Sequence, residues 1–156
     1  MTARNFPKQE RLTSNKLEEQ LFSDKQRRSA TAFPLRAVWL LREMDTQDKR
    51  STACVQVVVT APKKRLHHAV DRNRAKRQMR EAWRLNSQPL KDDVPAGQQL
   101  LVALVWTAST PRPTTEVFLK AIQLMERIAK DIRKRAATDD EDANDVAVGQ
   151  QQEHTP

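Results

Sequence analysis

The sequence has 156 residues, of which 38% are hydrophobic, and its 28 lysines and arginines outnumber its 20 acids to give a net charge of +8. This length suits one domain with tails, and the positive charge favours an anionic partner. The single cysteine excludes an internal disulfide, and no apolar run reaches the roughly 18 residues of a membrane span. The N-terminus has no apolar stretch of signal-peptide length, so we expect a cytoplasmic protein without a membrane partner.

The charge divides the chain into a basic body and an acidic tail. Residues 139–156 hold six acids and no lysine or arginine, so residues 1–138 contain all 28 bases and only 14 acids, a net charge of +14. An acidic segment without aromatic residues cannot bury enough apolar surface to offset the entropy of ordering. We predict a flexible N-terminus over residues 1–10, a folded domain over 11–136 and a disordered acidic tail over 137–156.

The first half of the domain has the pattern of one helix and two strands. Leu17, Leu21 and Phe22 recur at helical spacing, whereas the polar segment after them lacks any period. Two later segments are typical of strands, because one alternates its side chains between two faces and the other is rich in β-branched residues. The predicted elements are a helix from Thr13, a loop over 23–32, and strands over 35–43 and 53–62 that form a hairpin.

The second half has the pattern of a helix, a strand and a helix. Residues 69–86 form the strongest helical pattern, and the almost wholly apolar residues 99–109 are typical of a central strand buried on both faces. Thr115 is then expected to cap a long helix with an apolar stripe. The order α-β-β-α-β-α predicts an α/β (α+β) two-layer sandwich, with helices packed on a small central sheet.

The helix over 69–86 separates an apolar stripe from a basic one. On a helical wheel Met79 and Trp83 lie on the apolar side, and the basic side contains no acid. Like charges repel, so such a stripe favours an anionic partner over a merely solvated face, and guanidinium groups bind phosphate oxygens in pairs. A basic helix on a sheet favours structured RNA over the wholly helical homeodomain arrangement. This stripe and the basic segment before it give as candidate RNA-binding residues Lys63, Lys64, Arg65, Arg72, Asn73, Lys76, Arg77, Arg80 and Arg84, whereas Arg74 points to a third side of the helix.

Three separated segments resemble the protein subunit of bacterial ribonuclease P. They are the central helix AVDRNRAKRQMREAW with its RNR signature at Arg72, Asn73 and Arg74, the approach APKKRLHHAV with paired lysines, and the N-terminal FPKQERLTSNKLEEQLF. The resemblance runs from about Phe6 to about Ile132. It implies a sandwich with a left-handed βαβ crossover, an exception to the usual handedness.

The resemblance also implies a function. The family assists a catalytic RNA that removes the 5′ leader of precursor tRNA, with Mg²⁺ held by the RNA subunit and the substrate and no catalytic residue or metal site in the protein. The protein would bind the catalytic RNA through the RNR helix, which adds Arg74 to the RNA-binding candidates. It would bind the precursor tRNA leader in a cleft between the first helix and the sheet. No obligate protein partner is expected. The cleft candidates are Phe22, Arg36, Val38 and Trp39, with Phe22 and Trp39 either stacking on bases or packing in the core.

Two other functions compete with this one. A structural RNA-binding protein of ribosomal or ribonucleoprotein-assembly type needs the same basic body. An autonomous nuclease needs carboxylates on rigid elements to hold Mg²⁺, and the acid clusters of this chain fall in a predicted loop and in the tail. His67 and His68 diverge on a helix without a third ligand nearby, so we predict no metal site there.

Overall fold

Eight elements make up the described part of the fold in the computed structural model. The structure describes residues 11–12, 15–43 and 54–153. Side chains are described for residues 11–12, 16–43 and 54–135. The predicted order of three helices and three strands is present, and one further strand and one further helix lie within it. The predictions for residues 1–10 and for the turn beyond residue 43 fall outside the described residues. The elements are α1 (Asn15–Ser23), β1 (Arg28–Ala32), β2 (Leu35–Glu43), β3 (Val55–Thr60), α2 (Ala69–Asn86), α3 (Gln88–Asp93), β4 (Gln98–Trp106) and α4 (Thr114–Glu153).

The strands form one mixed sheet in the order β1-β2-β4-β3. β4 pairs antiparallel with β2 and parallel with β3, so β2 and β3 are not neighbours and the predicted hairpin is wrong. The reason is burial. Residues 100–104 of β4 are wholly inaccessible to solvent, and a strand that is apolar on both faces gains most at the centre of a sheet. β4 therefore separates the two strands that precede it in the chain.

A crossover that contains α2 and α3 joins the parallel neighbours β3 and β4. Parallel strands need such a connection because a tight turn cannot join them. α2 occupies the predicted residues, whereas α3 lies in a segment where the sequence shows no helical period. Leu90 anchors α3 in the core and Pro89 fits its first turn. The left-handed sense of the crossover stays a prediction.

β1 occupies residues for which the sequence predicts a loop, and that prediction is wrong. Of its five residues only Ala30 is buried, so the strand lacks an apolar alternation that could reveal it. The segment is a strand because five of its residues pair with β2, from Arg28 opposite Trp39 to Ala32 opposite Leu35. A short polar strand is typical of a sheet edge, where long apolar strands promote aggregation.

The two faces of the sheet are covered unequally. α2, α3 and α4 pack with one face around the larger core, which includes Met79, Trp83, Trp106 and Leu124. α1 covers part of the opposite face, where Leu21 belongs to a smaller cluster with side chains of β2 and β4. The predicted α+β sandwich is confirmed, and α1 adds a partial third layer to it.

α4 begins at Thr114, one residue before the predicted cap, and its helical backbone extends to Glu153. Its inner side buries apolar residues at helical spacing, among them Val117, Leu124 and Ile128. The helix passes residue 137, where the sequence predicts a disordered tail to begin. Side chains of residues 136–156 lie outside the described part of the chain, and tail disorder stays a prediction.

Candidate nucleic-acid interface

One side of α2 anchors the helix rigidly in the core. Ala75, Met79, Ala82 and Trp83 are at most 2% exposed, which confirms the predicted apolar stripe. Gln78 is also buried on this side, although the sequence analysis did not single it out. Its Nε2 donates to the Arg112 carbonyl oxygen at 3.0 Å and to the Thr114 hydroxyl at 2.9 Å. The sequence did contain a signal for this residue, because Gln78 is a polar residue on an apolar stripe. A buried amide needs hydrogen-bond partners, and these two acceptors supply them.

The opposite side of α2 carries polar and cationic side chains. The structure leaves Asn73, Arg74, Arg77 and Arg80 exposed and Lys76 half-buried. Within the described part of the chain, none of these five side chains forms a hydrogen bond or an ion pair. Four uncompensated cations on one rigid helix make a surface with donors ready for anion oxygens. We call these five residues the α2 cationic face.

Arg72 and Arg84 differ from that face because each is engaged within the protein. Arg72 donates through one terminal nitrogen to the carbonyl oxygens of Leu66 at 2.9 Å and His67 at 2.8 Å. Arg84 forms a 2.6 Å ion pair with Glu81, and this hydrogen-bonded partner raises the pKa of Arg84. The wheel did not place Glu81 on the basic stripe, but a side chain three residues away is within reach. The sequence therefore overestimates how free these two cations are.

The loop before α2 presents three further cations. Lys63, Lys64 and Arg65 are exposed, whereas Leu66 beside them is buried and fixes the loop to the core. Backbone amides of residues 65 and 66 both donate to the Pro62 carbonyl oxygen, which closes a turn. Because Arg72 bonds to the end of this loop, the three cations are held close to the first turn of α2.

The leader-cleft candidates separate into two exposed and two buried residues. Phe22 is 41% exposed on α1, and Arg36 is exposed on β2. Val38 is buried in the cluster beneath α1, so it forms the floor under that helix. Trp39 faces the opposite side of the sheet, is 4% exposed and donates from Nε1 to Asp131 of α4 at 3.0 Å. For Trp39 the structure supports core packing, because a buried ring cannot stack on a base.

The sheet face that α1 leaves partly open contains one continuous cross-strand row. Strand register places Thr31, Arg36, Val105 and Thr60 side by side across all four strands. Two of them are exposed and two half-buried. The next row of that face, through Val38, is buried at the two central strands by α1 and its neighbours. The open row, with one cation and two hydroxyls, is the accessible part of the predicted cleft.

The described ranges contain neither a metal-binding cluster nor a membrane-spanning helix. No group of three or more histidine, cysteine, aspartate or glutamate side chains comes close enough there to hold a metal ion. No helix among those residues has the length and hydropathy needed to cross a membrane.

These features define a class, a small α+β protein whose sheet supports a helix with one buried side and one cationic side. A family model described as Ribonuclease P matches residues 6–129, and the chain belongs to the ribonuclease P protein family. It is thus the protein partner of the ribonuclease P RNA in an endoribonuclease that processes tRNA. The solved structure of the Staphylococcus aureus RNase P protein at 2.0 Å is similar, with 14% identity and a TM-score of 0.49 over 78% of this chain and 93% of that chain. No curated protein matches the sequence.

Proposed function

We propose that the α2 cationic face and the preceding loop bind the catalytic RNA of ribonuclease P. The supporting observation is the set of four cations on α2 that have no partner among the described residues and are fixed in place by a buried stripe on the same helix. A cation that has no internal partner gives its full hydrogen-bonding capacity to a phosphate, and a rigid helix loses little entropy when it binds. Lys63, Lys64 and Arg65 extend the same surface towards the sheet.

The open row of the sheet is proposed to contact the 5′ leader of precursor tRNA. Arg36 offers a cation for the backbone, and Phe22 offers an exposed ring on which a single-stranded base can stack. Thr31 and Thr60 add hydroxyls in the same row, which can accept or donate hydrogen bonds to sugars and bases. Val38 supports this surface from below.

The chemistry of cleavage is proposed to belong to the RNA. Mg²⁺ held by the catalytic RNA and the substrate would supply the activated water and stabilise the leaving oxygen. The role of this chain is to bind and orient, since its cations offset the repulsion between the phosphates of two RNA molecules. The protein would then matter most where Mg²⁺ is scarce, because fewer ions are present to screen that repulsion.

The direct test is cleavage of precursor tRNA at low Mg²⁺ by three samples: the cognate ribonuclease P RNA alone, the protein alone, and both together. We expect cleavage at the mature 5′ end only in the mixture. Cleavage by the protein alone would support the autonomous nuclease. An unchanged rate in the mixture, with the protein still bound to structured RNA, would instead support the ribosomal or assembly function.

A further inference from the structure

A basic groove lies at the end of the sheet farthest from the loop that leads into α2. It consists of two adjoining cavities of about 450 Å³ and 530 Å³, which share Gln26, Arg28 and Arg135. The walls come from the loop after α1, the start of β1, the end of β2 and the described end of α4. We call it the β1–α4 groove, and its cations are Lys25, Arg27, Arg28, Arg42, Lys134 and Arg135.

The groove carries more positive charge than its own acids can offset. Among the residues whose side chains are described, six cations and two acids, Glu43 and Asp131, line the groove, and the second cavity has four of these cations and neither acid. Asp131 is only 14% exposed and is held by the Trp39 indole, so its carboxylate acts as a fixed anchor in the wall. The groove keeps a net positive charge, which favours an anion of more than one charge.

Several of these cations are held in place before any ligand binds. Asp131 lies 3.4 Å from Arg28 and 3.3 Å from Arg135, and Arg42 donates to the Gln20 amide oxygen at 3.3 Å. The Arg28 side chain remains 56% exposed despite its contact, so part of its guanidinium stays available. Side chains fixed in this way lose less entropy on binding than free ones, and a planar guanidinium suits phosphate oxygens.

The groove is separate from the surface around the start of α2. It lies where β2 ends and β4 begins, at Glu43 and Gln98. β3 runs parallel to β4 and ends at Thr60 beside Val105, at the other end of the sheet, where the loop towards α2 starts. An anion in the groove and an anion on the N-terminal half of α2 therefore occupy opposite ends of the molecule.

We propose that the β1–α4 groove is a second RNA-binding site, which takes the phosphate backbone of an RNA strand. This inference rests on the proposed function, since it assumes that the protein works on RNA. The strand comes either from the catalytic RNA or from precursor tRNA, and the chemistry of recognition is the same for both. With sites at both ends of the sheet, one protein molecule bridges two segments of RNA.

The test measures two equilibria with the full-length protein: binding of the protein to ribonuclease P RNA, and binding of precursor tRNA to the assembled holoenzyme. Arg28→Glu should weaken one of them about tenfold, because it replaces a charge-assisted bond with repulsion. The slope of the logarithm of the binding constant against the logarithm of salt concentration should also become shallower, by about one unit for each lost phosphate contact. The equilibrium that changes identifies the RNA in the groove.

Two further variants make the result decisive. Lys130→Glu is the matched control, since Lys130 is exposed on α4, lines neither cavity and makes no bond to a described residue. Lys25→Glu tests the groove without touching Asp131, because Lys25 is exposed and has no partner in the described chain. If a thermal melt shows that Arg28→Glu misfolds, Lys25→Glu still tests the groove.

Both proposals can fail, and they fail differently. If Arg28→Glu and Lys25→Glu bind both RNAs within about twofold of Lys130→Glu, a change too small for a lost charge-assisted bond, the groove is not an RNA site. If Arg77→Glu on the α2 cationic face weakens binding in the same assay, only the groove proposal is overturned. If Arg77→Glu also binds normally, the proposed function of α2 fails with it.

Discussion

The two sides of α2 use the same backbone for opposite purposes. One side buries Met79 and Trp83 completely and hydrogen-bonds through Gln78 to the start of α4. The other presents Arg74 and Arg77 to solvent without any partner among the described residues. The first side holds the helix in one position. The second side makes no bond that stabilises the fold among the described residues. Under the proposed function, stability and recognition are divided between two stripes of one helix.

The comparison also separates cations that look alike in the sequence. Arg72 and Arg84 belong to the same basic run as Arg77, but one fastens the preceding loop and the other is ion-paired with Glu81. A paired arginine must give up or share its partner in order to bind a phosphate. We therefore expect unequal contributions from the arginines of α2, in an order that charge alone cannot predict.

The largest expected effect comes from a charge on the buried side. Met79→Asp should lower the free energy of unfolding by more than about 4 kcal/mol, because it places an unpaired carboxylate in the core. That loss is a large part of a typical total of about 5–15 kcal/mol. Thermal unfolding followed by circular dichroism would measure it. Arg80→Asp, one residue away on the cationic side, should keep a native melt, and an equally stable Met79→Asp would show that the two sides are misassigned.

A smaller loss of stability is expected from the buried amide. Gln78→Ala removes the two hydrogen bonds from the buried amide to the Arg112 carbonyl oxygen and the Thr114 hydroxyl. Because each such bond contributes about 0.5–1.5 kcal/mol, the free energy of unfolding should fall by about 1–3 kcal/mol. Urea denaturation would measure the change. Gln123→Ala is the control, because Gln123 is exposed on α4 and forms no hydrogen bond within the described chain. Equal stability of the two variants would mean that Gln78 does not connect α2 to α4.

The smallest effects concern RNA binding by single cations. Arg77→Ala should weaken binding to the catalytic RNA about tenfold with an unchanged melting temperature, since it removes one charge-assisted contact and no internal bond. Arg84→Ala should weaken it by no more than about threefold, because the ion pair with Glu81 already offsets the charge of Arg84. Equilibrium titrations at one salt concentration would compare them. A larger loss for Arg84 than for Arg77 would contradict the division between free and paired arginines.

The helices with strong periodicity could be predicted from the sequence, and the elements that depend on partners could not. α2 was predicted at its observed bounds because its apolar residues repeat every three or four positions. β1 has no such pattern, since pairing with β2 orders it and its own side chains are mostly exposed. The wrong hairpin prediction has a similar origin. β2 and β3 are neighbours in the chain, but the more apolar β4 lies between them in the sheet.

The candidate site was predicted in part for the same reason. Helical geometry places Asn73, Lys76, Arg77 and Arg80 of the α2 cationic face on one stripe, so these four could be named from the pattern, whereas Arg74 was named through the family resemblance. The alternation along β2 puts Trp39 and Arg36 on different faces but does not say which face the helices cover. Only the structure places Trp39 against α4 and Arg36 on the open face. The β1–α4 groove collects residues from the loop after α1, three strands and the described end of α4, and no local pattern relates Arg28 to Arg135.

The most direct test of the central claim is a titration of precursor-tRNA cleavage at low Mg²⁺, with ribonuclease P RNA held constant and the protein varied. The proteins would be the wild type, the double variant Arg74→Ala and Arg77→Ala, and Lys130→Ala as a control. We predict that the double variant needs at least about tenfold more protein for half-maximal rate, whereas its rate at saturation and the behaviour of Lys130→Ala match the wild type. A double variant that saturates at the wild-type concentration would contradict the claim that the α2 cationic face binds the catalytic RNA.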